Sequence, residues 1–186
     1  MSEPQPARPG LGAVEQRLAE ILRVDHAGEL AAVHIYRGQR AVFAAAKDRE
    51  IIEGQLGEME QHEAVHLAAF DKLLNENQVR PTVFTPLWRA AGFALGAGTA
   101  LLGEKTAHAC TEAVETVIEQ HYAGQIAELQ TRDPRLAAEL TQFRNDELAH
   151  RDEAVAQGAK DAPGYPFLSA VIRTGCKAAI KLSEKL

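Results

Sequence analysis

The chain has 186 residues, of which 46% are hydrophobic and 25% are charged, a composition typical of one ordinary globular domain. Its formal net charge of −6 argues against a nucleic-acid-binding protein, because such proteins usually carry an excess of basic residues. Cys110 and Cys176 are far apart and form no C-x-x-C motif, so they suit a reducing compartment and are expected to be small buried residues.

The N-terminal part of the chain is predicted to be a disordered tail (residues 1–12) followed by a single helical domain (residues 13–186). The first ten residues contain three prolines and no apolar run, so they cannot form the core of a secretory signal peptide. The first helix is predicted from about residue 13 to 46, with Glu29 in its middle. Gly28 costs about 1 kcal/mol in a helix interior, which suggests that another helix or a set of metal ligands approaches closely there.

A second helix is predicted from about residue 48 to 75, and it carries Glu63 and His66 within its apolar face. Residues three apart on a helix project from the same face about one turn apart, so a carboxylate and an imidazole can hold one metal ion between them. A carboxylate that faces an apolar core is costly unless it is paired with a cation. The position of Glu63 therefore favours a metal.

The stretch from Leu87 to Gly103 is unusually apolar and contains a single charge, Arg89. Its uncharged run of 14 residues (90–103) is shorter than the roughly 20 residues that a membrane-spanning helix needs. Two interpretations remain open, a buried core helix or a segment that dips into a membrane or covers a substrate. The second is favoured, because the segment is more apolar than an exposed connection should be.

The fourth and fifth helices are predicted over residues 105–130 and 134–159. The fourth carries Glu115, followed one to two turns later by His121 and Tyr122, which are candidates to relay electrons or protons. The alternative for both is an ordinary place in the core or at its rim. The fifth helix is expected to begin after Asp133, a good N-cap before a proline, and it carries Glu147 and His150.

The last segment, residues 167–186, is predicted to be an amphipathic helix. Its basic residues recur every four positions beside an apolar stripe that includes Val171 and Ile172; they are Arg173, Lys177, Lys181 and Lys185. This pattern fits an anionic membrane surface or a partner helix. The alternative is a solvated helix that simply closes the bundle.

The six candidate ligands form a duplicated pattern, a lone glutamate followed by a Glu-x-x-His pair. The lone glutamate precedes its pair by 34 residues in the first half and by 32 in the second; the ligands are Glu29, Glu63, His66, Glu115, Glu147 and His150. This ligand set is the one found in carboxylate-bridged di-iron and di-manganese four-helix bundles. A single Glu-x-x-His pair would be weak evidence, but two pairs with matching partners are much less probable by chance.

The charge of this ligand set suits two divalent ions, because four glutamates carry −4 and two ions carry +4. Mixed carboxylate and imidazole ligands favour iron or manganese over structural zinc. As a hypothesis, Glu63 and Glu147 bridge the ions, Glu29 and His66 complete one, and Glu115 and His150 complete the other. Asp146 is expected to accept a hydrogen bond from His66, and Asp25 is the candidate for this role in the other half.

Several runs resemble the demethoxyubiquinone hydroxylase family of ubiquinone biosynthesis, from about Leu22 to the end of the chain. The runs are Arg23-Val24-Asp25-His26-Ala27-Gly28-Glu29, Glu63-x-x-His66-Leu67, Ala109-Cys110-Thr111 leading to Glu115, His121-Tyr122, and Phe143-Arg144 leading to Glu147-x-x-His150. The resemblance implies an all-α, ferritin-like four-helix bundle with an additional apolar helical segment and a C-terminal amphipathic helix. It also implies a monooxygenase with two iron ions that hydroxylates the ring of a polyprenylated demethoxyubiquinone or demethoxyubiquinol with dioxygen.

The resemblance further implies that electrons come from NADH or from the quinol itself. No G-x-G-x-x-G fingerprint occurs, so no Rossmann nucleotide site is expected. The implied location is the cytoplasmic side of a bacterial cell membrane, bound peripherally, with a possible homo-oligomer or ubiquinone-biosynthesis complex and no nucleic acid. The alternatives are a ferritin- or rubrerythrin-like ferroxidase and a helical scaffold without metal.

Overall fold

The computed structural model of the chain describes the backbone of residues 11–185 and the side chains of residues 16–185. These residues form six α-helices, a short 3-10 turn at Ala159–Asp161 and no strand; the helices are α1 (Leu11–Phe43), α2 (Glu50–Glu76), α3 (Thr85–Leu101), α4 (Glu104–Leu129), α5 (Pro134–Ala156) and α6 (Tyr165–Lys185). The predicted all-α class and the order of the helices are confirmed. Of the predicted tail, residues 11 and 12 belong to α1, and the rest lies outside the described residues.

The start of α5 follows the predicted capping signal. The Asp133 side chain accepts a hydrogen bond of 3.0 Å from the backbone N–H of Leu136, and Pro134 occupies the first helical position. This cap satisfies one of the four N–H groups that have no partner inside a helix. It helps to set where α5 begins, and hence which face of α5 carries Glu147 and His150.

Two helix pairs form the bundle, α1 with α2 and α4 with α5, and the pairs face each other. Two apolar clusters fill the two ends of the space between them. One includes Leu22, Phe70 and Leu140, and the other includes Leu56 and Ala107. The six candidate ligands lie between these clusters along their helices, so the fold places them in the middle of the bundle.

Helix α3 packs tightly against α1 through glycines. A Cβ atom at Gly96 would clash with the backbone carbonyl of Ile35, and one at Gly92 would lie 2.7 Å from the carbonyl oxygen of Ala31. The opposite face of α3 is exposed, including Leu87 and Phe93. The interpretation of α3 as a fully buried core helix is therefore wrong. Among the helices of the described residues, none combines the length and apolarity needed to cross a bilayer.

Helix α6 crosses α4 and α1, with Ile172 directed inward and Phe167 and Val171 exposed. The predicted apolar stripe is thus wrong at Val171, which faces outward. Arg173 is also not available to a membrane or a partner in the way the basic pattern suggested. Its guanidinium donates a hydrogen bond of 2.6 Å to the buried Glu112 carboxylate of α4. The helix therefore has a packed inner face and an apolar outer face flanked by lysines.

Both cysteines are free thiols, Cys110 buried and Cys176 partly buried. The expectation that both are buried is confirmed for Cys110 and met only in part by Cys176. Burial raises the pKa of Cys110 to about 12 and the pKa of Cys176 to about 11. Because the thiolate is the reactive form, both thiols are expected to be inert at neutral pH.

The α1–α3 contact leads to a stability prediction. Gly96→Ala is expected to lower the free energy of unfolding by about 1–3 kcal/mol, because the added methyl group must displace a backbone carbonyl. Gly98→Ala on the same helix is the control, since a Cβ there meets no atom within 4 Å and alanine improves helix propensity by up to about 1 kcal/mol. Urea unfolding measures both variants, and equal midpoints would contradict the tight α1–α3 contact.

Candidate metal centre

The structure brings all six candidate ligands together at the centre of the bundle. Each is at most 5% exposed; they are Glu29, Glu63, His66, Glu115, Glu147 and His150. None of them forms an ion pair with a lysine or arginine among the described residues. Four buried carboxylates with two imidazoles and no fixed cation form a costly arrangement unless metal ions compensate it.

The six side chains divide into two sets that share Glu63 and Glu147. Glu29 and His66 complete the first set, and Glu115 and His150 complete the second; in each set, one ligand atom per residue lies within 4.8 Å of the others. The Nδ1 atom of His66 is 3.2 Å from Glu147 Oε1, and the Nδ1 atom of His150 is 3.0 Å from Glu63 Oε1. This division matches the hypothesis that two glutamates bridge two ions.

The unsatisfied polar atoms of the cluster test whether metal ions fit. Both oxygens of Glu63 and Glu147, one oxygen of Glu29 and of Glu115, and Nδ1 of both histidines are buried without a hydrogen-bond partner among the described residues. Buried polar atoms in native proteins are almost always satisfied. Two cations placed between the shared glutamates would satisfy this set, so the residues fit a pair of metal ions.

The outer ring nitrogen of each histidine has a different partner. His66 Nε2 lies 3.1 Å from Asp146 Oδ2, the contact that the sequence predicts. His150 Nε2 lies 3.1 Å from Nδ1 of His62. The prediction that Asp25 takes this role is wrong, because its carboxylate accepts a hydrogen bond of 2.8 Å from Gln125 instead.

Two buried tyrosines hold the outer glutamates. The Tyr122 hydroxyl donates a hydrogen bond to Glu29, and the Tyr36 hydroxyl donates one of 2.7 Å to Glu115. Each tyrosine is seven residues after the glutamate of its own helix but binds the glutamate of the other helix. Tyr36 was not predicted from the sequence, although the Glu-x6-Tyr spacing that occurs in both halves indicates it.

His121 lies farther from the cluster than Tyr122. Its partly exposed ring is 2.9 Å from the Gln125 side chain and 3.5 Å from Asp25, and it contacts none of the six ligands among the described residues. Tyr122, by contrast, touches Glu29 directly. The relay roles of His121 and Tyr122 stay predictions.

The buried cluster favours bound protons when no metal is present. Burial, assisted by the charges of neighbouring glutamates, raises the pKa of Glu29 and the pKa of Glu115 well above the usual carboxyl range. Burial alone would lower the pKa of His150, but the carboxylates of Glu147 and Glu63 outweigh it and raise the pKa to about 9. These shifts favour the protonated form of all three groups in the metal-free protein.

Metal loading at pH 7 is consequently expected to release protons, because metal ligands must be deprotonated. A lower pH keeps these protons on their ligands, so the apparent metal affinity should fall as the pH decreases below 7. An indicator dye in a weakly buffered cobalt(II) titration counts the protons. Loading that releases no protons would contradict the elevated pKa values.

Comparisons with known proteins place the chain in a family. Residues 16–183 match the family model described as Ubiquinone biosynthesis protein COQ7. The 3-demethoxyubiquinol 3-hydroxylase of Rhodospirillum rubrum is 49% identical over 178 residues, covering 96% of this chain and 82% of the relative. The human protein named NADPH-dependent 3-demethoxyubiquinone 3-hydroxylase, mitochondrial, is 47% identical over 170 residues, covering 89% of this chain and 76% of the relative. The chain belongs to the COQ7 family.

In this COQ7-family chain, an apolar cavity of about 80 Å³ lies between α1, α3, α4 and α6. Gly28 and Val114 line it, and each directly precedes a candidate ligand, Glu29 or Glu115. The cavity therefore lies beside the metal centre, on the side of α3 and α6, and none of the six candidate ligands is among the residues that line it. A Cβ atom at Gly28 would meet no atom within 4 Å. The expectation of a close approach at Gly28 is thus wrong, and the glycine leaves space open in the cavity.

Proposed function

We propose that this chain is a di-iron monooxygenase that hydroxylates the ring of a polyprenylated demethoxyubiquinol or demethoxyubiquinone with dioxygen, a step of ubiquinone biosynthesis. The observation that carries the proposal is the buried carboxylate and imidazole cluster with an apolar cavity beside it. The names of its relatives in R. rubrum and human, both demethoxyubiquinol or demethoxyubiquinone hydroxylases, support the same activity.

The chain's residues have separate tasks in this reaction. Two bound iron ions supply the activation of dioxygen that a ring hydroxylation requires. Glu63 and Glu147 would hold these ions side by side, while Tyr36 and Tyr122 fix one oxygen of each outer glutamate. The apolar cavity binds the ring and the start of its prenyl tail, keeps water away and brings the ring to the outer glutamates. Such positioning accounts for much of an enzyme's rate acceleration.

The electrons for the reaction are proposed to come from NADH or from the quinol itself. Tyr122 is a candidate to carry a proton or an electron to the centre, because its buried hydroxyl donates a hydrogen bond to Glu29. His121 is partly exposed and lies beside Asp25, so it is a candidate for the outer end of such a path.

The outer faces of α3 and α6 support peripheral binding to the cytoplasmic side of a bacterial cell membrane. The exposed apolar residues include Leu87 on α3 and Phe167 on α6, which are 51% and 77% exposed. Lys177 and Lys181 on α6 are exposed beside this apolar surface, a pattern that suits anionic lipid. Helices α3 and α6 also line the cavity, so a quinone could enter from the bilayer. A homo-oligomer or a ubiquinone-biosynthesis complex is part of the same proposal.

Product analysis tests the proposed reaction. The iron-loaded protein is incubated with a demethoxyquinol, a reductant and isotopically labelled dioxygen, and mass spectrometry should find one labelled oxygen atom in the quinone product. Oxidation of iron(II) without any hydroxylated product would favour the ferroxidase alternative instead.

Flotation with vesicles that contain anionic lipid tests the membrane surface. Phe167→Glu should reduce the fraction of protein that floats, because it places a charge in the apolar face of α6. Ile51→Glu is the control, since Ile51 is 82% exposed on α2 and lies outside this surface. Equal flotation of the two variants would contradict the proposed membrane face.

A further inference from the structure

The duplication places His62 and Asp146 at equivalent positions, each directly before a shared glutamate. The two residues are 84 positions apart, the same separation as between Glu63 and Glu147. Each contacts the outer ring nitrogen of the histidine in the other half, at 3.1 Å in both cases. The same contact therefore occurs in both halves, but the partner of the histidine is a carboxylate in one half and an imidazole in the other.

Both histidines direct Nδ1 towards the cluster, so the group that contacts Nε2 affects how strongly each histidine can bind a metal ion. A neutral imidazole that uses Nδ1 as a metal ligand carries its only N–H at Nε2, so its outer partner must accept a hydrogen bond. Asp146 accepts with a charged carboxylate, whereas His62 accepts with a neutral ring nitrogen. Hydrogen bonds to a charged partner are roughly twice as strong as neutral ones, and a carboxylate partner makes a ligating imidazole more basic.

The remaining surroundings of the two positions are nearly matched. Both positions share Glu63 and Glu147, and each has an outer glutamate that accepts a hydrogen bond from a buried tyrosine. Among the contacts described above, the outer partner of the histidine is the one that changes the charge directly beside a candidate ligand.

We propose that the two metal positions are unequal and fill in sequence, the position of Glu29 and His66 first and the position of Glu115 and His150 second. The tighter binding at the first position comes from the Asp146 carboxylate on His66. This inference rests on the proposed metal centre but not on the quinone substrate. Asp146 and His62 act through the ligands and are positioning residues.

A cobalt(II) titration of the metal-free protein, followed by calorimetry and visible absorption, tests the order of filling. The wild-type protein should bind two ions in two steps whose dissociation constants differ by about tenfold or more, as expected for the loss of a carboxylate partner. Two equal steps would overturn the proposal. Binding of no cobalt would overturn both the proposal and the metal centre on which it rests.

Two variants identify the cause of the difference. Asp146→Asn retains an oxygen acceptor but removes the charge, so it should weaken the tighter step by about tenfold and bring the two steps together. His62→Asp should tighten the weaker step, because an aspartate at the equivalent position of the other half already reaches its histidine. If one variant fails to fold, which circular dichroism reports, the other still decides.

Asp152→Asn is the matched control, because it removes an exposed carboxylate from the same helix that pairs only with Arg151 among the described residues. It should leave both binding steps unchanged. An equal effect of Asp152→Asn and Asp146→Asn would overturn the assignment, since it would reflect overall charge rather than the contact with His66. Product analysis judges the hydroxylase activity separately, so failure of this proposal and failure of the proposed function are distinguishable.

Discussion

Replacing Glu147 by glutamine is expected to abolish binding of both metal ions and, with them, hydroxylation. Glu147 belongs to both ligand sets, with Oε1 3.2 Å from His66 Nδ1 and Oε2 3.5 Å from His150 Nδ1. A neutral amide offers one oxygen and no charge, so it is a poor substitute for a carboxylate that would contact both ions. Because loss of an outer partner alone typically costs 10–100-fold in metal affinity, loss of a shared ligand should cost more than about 100-fold. Metal analysis and product formation measure the two effects together.

The same substitution has two opposing effects on the metal-free protein. It removes a charge that raises the pKa of Glu115, after the larger effect of burial, and it also removes a carboxylate that raises the pKa of His150. Because the lost repulsion and the lost attraction oppose each other, the melting temperature should change by no more than roughly 2–4 °C, the shift that about 1 kcal/mol produces in a protein of this size. A metal-free variant that melts near the wild-type temperature would show that metal loss does not result from unfolding.

Glu58→Gln on α2 is the control for Glu147→Gln, because Glu58 is exposed and belongs to neither ligand set. It should leave metal content, turnover and melting temperature unchanged. A Glu147→Gln protein that retained two metal ions and full turnover would contradict the shared role of Glu147.

Filling the cavity at Gly28 is expected to stop turnover while leaving the metal centre loaded. In Gly28→Leu the new side chain extends into the apolar space between α1 and α6, where a Cβ meets no atom within 4 Å. The ring of the substrate would then be displaced from the outer glutamates, and a misplacement of about 1 Å can cost on the order of 100-fold in rate. Metal analysis reports whether the centre is still loaded, and kcat/KM for a demethoxyquinol reports the loss of turnover.

Gly124→Leu is a closely matched control. Gly124 also lies within a helix, α4, and a Cβ atom added there would also meet no atom within 4 Å. It is exposed, however, and does not line the cavity. Both variants gain helix propensity, so both should be at least as stable as the wild type. If Gly28→Leu turned over at the rate of Gly124→Leu, the cavity would not be the substrate site.

Much of the fold and of the candidate site could be predicted because the signals are local and repeated. Helical spacing of apolar residues located five of the six helices, the apolar composition of residues 87–103 marked the segment that forms α3, and the capping pair Asp133-Pro134 located the start of α5. A glutamate and a histidine three residues apart must share a helix face, whatever surrounds the helix. The duplication then indicated which glutamates accompany each pair.

Contacts between helices were harder to predict, because residues distant in sequence make them. Tyr36 and Glu115 are 79 residues apart, and His62 and His150 are 88 apart. The choice of Asp25 as a partner for His150 was wrong for this reason, since its place on α1 directs it to Gln125 of α4. Helical spacing states which face a side chain occupies, but not which side chain on another helix it meets.

The sequence by itself indicated the helices and the six candidate ligands, because covalent spacing along a helix dictates which groups leave it together. Only the tertiary structure decided that Tyr36 and Tyr122 cross between the pairs and that His62 contacts His150 as Asp146 contacts His66. It also decided that Gly28 opens a cavity, while Gly92 and Gly96 bring α3 against α1. The physical reason is that cavities and hydrogen bonds between helices form only when helices distant in sequence pack together.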